Sequence, residues 1–214
     1  MKGNETMFPR IPLKRSLAAA LLLGSACATA ARANQIIDFS TLPQESVDGV
    51  TADGVTFGYS EFGSSSPEAF FDESVGAGNT ELVQPTALVG LADGVLTLNF
   101  ANAVSEIDFP VALTTNQSLS PGFSVTVFDA AGDVLDTTDV ATTALANFTE
   151  GAFSYDGAAA SSVSITFDSI DGVFQGDANE FALGNVTVPE PDSIGILAMG
   201  LMALGAMVVR RRQA

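Results

Sequence analysis

Between Asn34 and Val188 the chain has no Lys, no Arg and no His, yet it holds 22 of its 25 acidic residues; the others are Glu5, Glu190 and Asp192. Whatever this span folds into can contain no side-chain ion pair. With its carboxylates ionised it carries about −22 at neutral pH. Such charge favours solubility and works against compactness through self-repulsion, which salt or divalent cations relieve. Nucleic acid is excluded as a partner, because phosphate contacts need Lys and Arg. All eight basic residues lie outside the span: Lys2, Arg10, Lys14, Arg15 and Arg32 before it, Arg210, Arg211 and Arg212 after it.

The acidic span is about 155 residues long, which suits one exported domain, expected over 34–187, with a sizeable core. Its hydrophobic pattern has period two. Leu96, Leu98 and Phe100 share a face within 95–100, as do Phe123, Val125 and Val127 within 123–128. Val163, Ile165 and Phe167 alternate with hydroxyls within 162–167. Half-buried antiparallel strands look like this. Further strands are expected at 35–39, 55–59, 103–109, 134–140, 147–155 and 181–188. Segments 87–91 and 141–146 read as strand or short helix. Ala131-Gly132-Asp133 and Ser120-Pro121-Gly122 supply turn chemistry. Asp-Gly-Val recurs at Asp48, Asp53, Asp93 and Asp171 with irregular spacing, so it marks turns and not a solenoid repeat. The predicted fold is all-β, an antiparallel β-sandwich, flanked by an N-terminal signal peptide and a C-terminal single transmembrane helix.

At the N-terminal end, Lys14 and Arg15 precede an apolar run from Leu17 that closes on Ala31-Arg32-Ala33. This small-x-small pattern predicts a secretory signal peptide over 1–33, cut by signal peptidase so that Asn34 leads the mature chain. Met7 opens a more usual n-region than Met1. The only cysteine, Cys27, lies inside the segment to be removed. Gly24-Ser25-Ala26-Cys27 lacks the Leu that a lipoprotein box would place at Gly24. Cut after Ala33, the exported protein has no thiol.

The C-terminal 27 residues hold three signals in order: Val188-Pro189-Glu190-Pro191 within a 188–193 linker, an uncharged run over 194–209, and Arg210-Arg211-Arg212 within the 210–214 tail. The prolines lack N–H groups and fix φ, so this linker is expected to stay out of sheet and helix interiors. The 16-residue run is about 24 Å long as a helix. That is slightly short for a hydrocarbon core of roughly 30 Å, and snorkelling arginines make up the difference. The arginines place the terminus in the cytoplasm.

This tail resembles the PEP-CTERM sorting signal of Gram-negative bacteria, and the resemblance covers about an eighth of the chain. It implies recognition by an exosortase, a membrane-embedded cysteine transpeptidase-like enzyme. It also implies anchoring in the inner membrane before processing, removal of the tail, and delivery to the cell surface or extracellular matrix. A weaker resemblance links Ile107-Asp108-Phe109-Pro110, Val125 to Leu135 and Phe181 to Val188 to the jelly-roll-like sandwiches of many PEP-CTERM ectodomains. Those ectodomains are akin to carbohydrate-binding modules. Their last strand often reads Leu-Asp-Asn-Val; here it is Leu183-Gly184-Asn185-Val186, without the aspartate.

Catalysis by a Ser-His or Cys-His pair is impossible in a span without His or Cys, so no enzyme is expected. Carboxylate pairs such as Asp72–Glu73 or Asp168–Asp171 leave a glycosidase as the least favoured reading. Trp is absent and most phenylalanines fall on strand in-faces, which weakens a lectin-like reading too. Calcium is the one ligand with acidic support. Asp171, Asp177 and Glu180 cluster before the last strand, and in sandwiches of the kind this chain resembles a structural calcium joins last strand to first, which adds Asp38. The spacing is not that of an EF-hand. The leading expectation is a structural protein of the surface or matrix, linked to exopolysaccharide or biofilm. A carbohydrate-binding module is the alternative.

Overall fold

A computed structural model describes residues 34–72, 80–168 and 179–189. The expected signal peptide, the 194–209 segment, Glu190, Pro191, Asp171, Asp177 and Arg210 to Arg212 lie outside the described residues. Among the described residues no helix is long and apolar enough to cross a membrane.

The described chain forms twelve strands and one short 3-10 turn. The strands are β1 (Asn34–Ile37), β2 (Thr51–Ala52), β3 (Val55–Glu61), β4 (Ser64–Ser65), β5 (Ala69–Asp72) and β6 (Ala87–Leu91). They continue with β7 (Val95–Leu113), β8 (Leu119–Phe128), β9 (Val134–Ala144), β10 (Thr149–Phe167), β11 (Glu180–Leu183) and β12 (Val186–Pro189). All pairings are antiparallel. One layer runs β2-β3-β7-β10-β8-β9, using the first half of β7 and the second half of β10. The other runs β5-β6-β11-β7-β10, using the opposite halves, with β12 and β1 continuing the β11 line. Segment 87–91 is therefore a strand, and 141–144 extends β9.

Two pairs of expected strands turn out to be single long ones. Segments 95–100 and 103–109 are both β7, and 149–155 and 162–167 are both β10. The reason is a change of phase. In β7 the residues facing the main core are Leu96 and Leu98, then Ile107, Phe109, Val111 and Leu113, with Ala112 buried in the second core. Between them Ala101, Asn102 and Ala103 are exposed, and the register against β10 shifts between Asp156 and Ala160 and again before Ser162. An irregularity of this kind bends a strand without ending it. Each long strand thereby serves both layers.

The layers meet through aromatic rings. Phe57 of β3 lies 6.0 Å from Phe71 of β5, with Phe39 against both. Phe167 of β10 stacks on Phe181 of β11 at 4.0 Å. Each buried phenylalanine contributes on the order of 2–3 kcal/mol. Tyr59 is equally buried but keeps a polar tip, donating its hydroxyl to the Leu91 carbonyl at 2.6 Å. Burial first, and then the Glu61, Asp93 and Glu68 carboxylates, push its phenol above the ordinary tyrosine range. A second small core lies elsewhere: Val83, Ala87, Val89, Ala112 and Ala182, with Phe148 against them.

Candidate functional site

The expected sorting signal begins inside the sandwich. β12 pairs along its length with β1: Asn34 faces Pro189, Gln35 faces Val188, Ile36 faces Thr187 and Ile37 faces Val186. On its other edge Thr187 faces Asp108 of β7. Ile37 and Val186 are fully buried, Val188 is 4 % exposed, and Pro189 is buried. Two expectations need correction. The domain does not stop at residue 187, because Val188 and Pro189 are sheet residues. The prolines do not both stay out of sheet: Pro189 is the last residue of β12 and faces Asn34 of β1. Asn34, expected to lead the mature chain, is the first residue of β1, and Ala31 and Ala33 lie outside the described residues.

Gly184 separates β11 from β12, and its N–H donates to the Pro110 carbonyl at 2.9 Å. A Cβ there would stand 2.7 Å from Cγ of Pro110. The aspartate usual in the resembling ectodomains would collide with that ring. Its replacement by glycine is thus a packing requirement of this chain.

The acids singled out for calcium are not all brought together. Asp38 caps the 3-10 turn at 39–41, its Oδ1 accepting the Ser40 N–H at 2.9 Å. Ser40, through side chain and backbone, holds its carboxyl below the usual range. Glu180 opens β11, half-buried, and desolvation followed by the Asp72 charge pushes its carboxyl upward. Asp38 directly follows Ile37, which faces Val186, so it stands level with residue 185. Glu180 opens β11, on the far side of the Gly184–Asn185 break from β12. Among the described residues no group of three or more His, Cys, Asp or Glu side chains is placed to hold a metal. For the carboxylate pairs, Asp72 and Asp168 are described while Glu73 and Asp171 are not.

Two residues stand out that sequence reasoning passed over. Glu150, on β10, is 5 % exposed, and its carboxylate accepts three backbone N–H groups: Glu81 at 2.8 Å and Leu82 at 3.0 Å on Oε2, Val83 at 2.9 Å on Oε1. This pins the 81–83 segment over the second core. Its partners lie nearly seventy residues away in sequence, so no local pattern announces it. The other residue is Phe62. It forms the β3–β4 turn with Gly63, has φ 50°, and is 95 % exposed. Left-handed backbone is costly for a bulky side chain. The sequence signal was Phe62-Gly63 beside Asp53-Gly54, a second hairpin turn with positive φ at both residues. Phe70 on β5 is 41 % exposed. Most other described phenylalanines are core.

Residues 187–212 match the family described as the PEP-CTERM protein-sorting motif. No curated protein matches the chain. Among solved structures, the chain is similar to a family 29 carbohydrate-binding module (8 % identity, 73 % of this chain, 90 % of that one, TM-score 0.38). The CBM22-1 xylan-binding domain of Paenibacillus barcinonensis Xyn10C matches at 19 % identity over 75 % of this chain and 97 % of that one, TM-score 0.36. The K2 cleaved adhesin domain of Lys-gingipain matches at 11 % identity over 73 % and 99 %, TM-score 0.38.

Proposed function

We propose that this chain, which carries a PEP-CTERM protein-sorting motif at residues 187–212, is an exported structural protein of the cell surface or extracellular matrix, associated with exopolysaccharide. Signal peptidase removes residues 1–33. The 194–209 segment holds the protein in the inner membrane, with Arg210 to Arg212 on the cytoplasmic side. An exosortase then reads Val188-Pro189-Glu190-Pro191 and releases the sandwich. The observation that carries this reading is the motif match, in frame with an acidic sandwich whose last strand runs into it. The reading is non-enzymatic: residues 34–188 offer no His, Lys or Cys, so no Ser-His or Cys-His pair can form, and a carboxylate-dependent glycosidase is the least favoured alternative. Replacing Pro189-Glu190-Pro191 by three alanines should leave an uncleaved protein in the membrane fraction. Normal release of that variant would rule the reading out.

A second reading, glycan binding, is favoured by Phe62, an aromatic ring offered almost wholly to solvent at a hairpin tip. Aromatic faces are what sugar rings stack on in water, with their apolar side buried. Affinity electrophoresis in gels cast with neutral and acidic polysaccharides separates the two readings. Retardation of the wild type and its loss in Phe62→Ala supports binding through this ring. Equal, unretarded mobility in every gel leaves the structural role alone.

A further inference from the structure

The two ends of the sandwich meet at one register position. Asn34 faces Pro189, so the expected signal-peptidase site and the sorting motif leave the domain side by side. The motif match starts at residue 187, and its first three residues are strand residues with partners. Thr187 is paired on both edges, to Ile36 and to Asp108, and Val188 is 4 % exposed. An enzyme that breaks a peptide bond must reach an extended segment free of other partners, and β12 is not one.

We infer that the sheet fixes the amino-terminal limit of tail processing: the bond broken lies on the carboxyl side of Pro189, and strand β1 imposes the limit. The inference rests on the exosortase reading above. In the reaction the peptide C–N bond breaks and the acyl carbon passes to the attacking thiol. Water or an acceptor amine then takes the acyl group, and the tail departs with the proton on its new amino terminus. β1 is the restraint most easily released. It is four residues long, is paired among the described residues only to β12, and has one fully buried side chain, Ile37; Ile36 is 57 % exposed. Edge elements with few buried contacts open at lower free energy than central ones. β7, by contrast, is a central strand of both layers.

The test uses the full chain in an exosortase-containing host, with mass spectrometry of the released protein's carboxyl terminus. Wild type should give a terminus that includes Pro189. Ile37→Cys with Val186→Cys, a facing pair outside the matched motif, oxidised to lock β1 on β12, should be processed at the same bond and in the same yield. Ile37→Asp removes the buried anchor of β1, and should add shorter termini within 186–188 in at least a tenth of the product. Hydrogen exchange of β1 amides verifies its release. A wild-type terminus at Val186, Thr187 or Val188 overturns the inference, as does a locked variant that is not processed. So does an Ile37→Asp protein with β1 released and the wild-type terminus unchanged. If Ile37→Asp does not accumulate, the other two arms still decide. Complete absence of tail removal in wild type would sink the exosortase reading itself, a result distinct from cleavage at the wrong bond.

Discussion

Glu150 and Glu180 are two carboxylates partly or wholly withdrawn from water in a domain that owns no cation, and they are treated in opposite ways. Glu150 is buried on β10 and receives three N–H groups from the 81–83 segment. Glu180, at the start of β11, is half-buried beside Asp72, and both desolvation and that charge raise its pKa. Backbone donors thus take the place that Arg and Lys hold in ordinary acidic proteins. Where they converge, a carboxylate becomes a structural clamp. Where a half-buried carboxylate meets another carboxylate, as Glu180 meets Asp72, it is a source of instability.

The largest effect is expected from a carboxylate placed where no donor can reach it. Ile165 is fully buried, facing Leu96 and Val125 across the sheet. Ile165→Asp should therefore cost more than about 4 kcal/mol, abolishing the folded signal in circular dichroism. Thr166→Asp, on the exposed face, should stay within about 0.5 kcal/mol. Next in size is the clamp itself. Glu150→Ala leaves three buried or half-buried N–H groups unpaired and should cost about 3 kcal/mol in urea unfolding, with Glu150→Gln recovering roughly half. A loss below about 0.5 kcal/mol would show that the 81–83 segment is held by something else.

Glu180 predicts a gain. Its folded carboxyl keeps a proton to higher pH than the unfolded one, so the folded state binds more protons through that window. Stability then falls as pH rises through it, and the penalty is complete above it. Glu180→Gln should melt higher than wild type at pH 7, and the difference should vanish below the ordinary glutamate value of 4.5. Added sodium chloride should shrink that difference by screening, and raise the melting temperature of both proteins. A gain that persists at acid pH would assign it to packing instead. The smallest effect concerns a side chain held up by nothing. Phe62→Asn relieves left-handed strain without losing burial, and should stabilise by about 1 kcal/mol. If Phe62→Asn instead destabilises, the ring makes contacts in solution that its 95 % exposure does not reveal.

Much of the sandwich was legible because strands with one wet face announce themselves locally. Segments 95–100, 123–128 and 162–167 are strand as their alternation requires, and Leu96, Leu98, Val125, Ile165 and Phe167 are core. Strand continuity was not legible. Ala101 to Ala103 break the alternation, and a break in pattern looks the same whether the chain turns or merely bends. β5 was missed for a related reason. Ala69-Phe70-Phe71-Asp72 is too short to show a period, and its identity comes from pairing with β6. Of the candidate sites, the motif was legible in full as a string of residues. Its attachment was not, because the prolines suggested a linker while Val188 and Pro189 are held by β1.

The sequence by itself determined the all-β class, the absence of side-chain ion pairs within 34–188 and the sorting motif, since each is written in residue type, alternation or order along the chain. Tertiary structure decided which carboxylate is clamped, which is half-buried beside another carboxylate, and where the two ends of the domain meet. Those outcomes depend on residues tens to more than a hundred positions apart, such as Glu150 with Val83 or Asn34 with Pro189. Backbone donors and strand edges are present at nearly every residue, so only the folded register selects the few that converge on one side chain or close one edge.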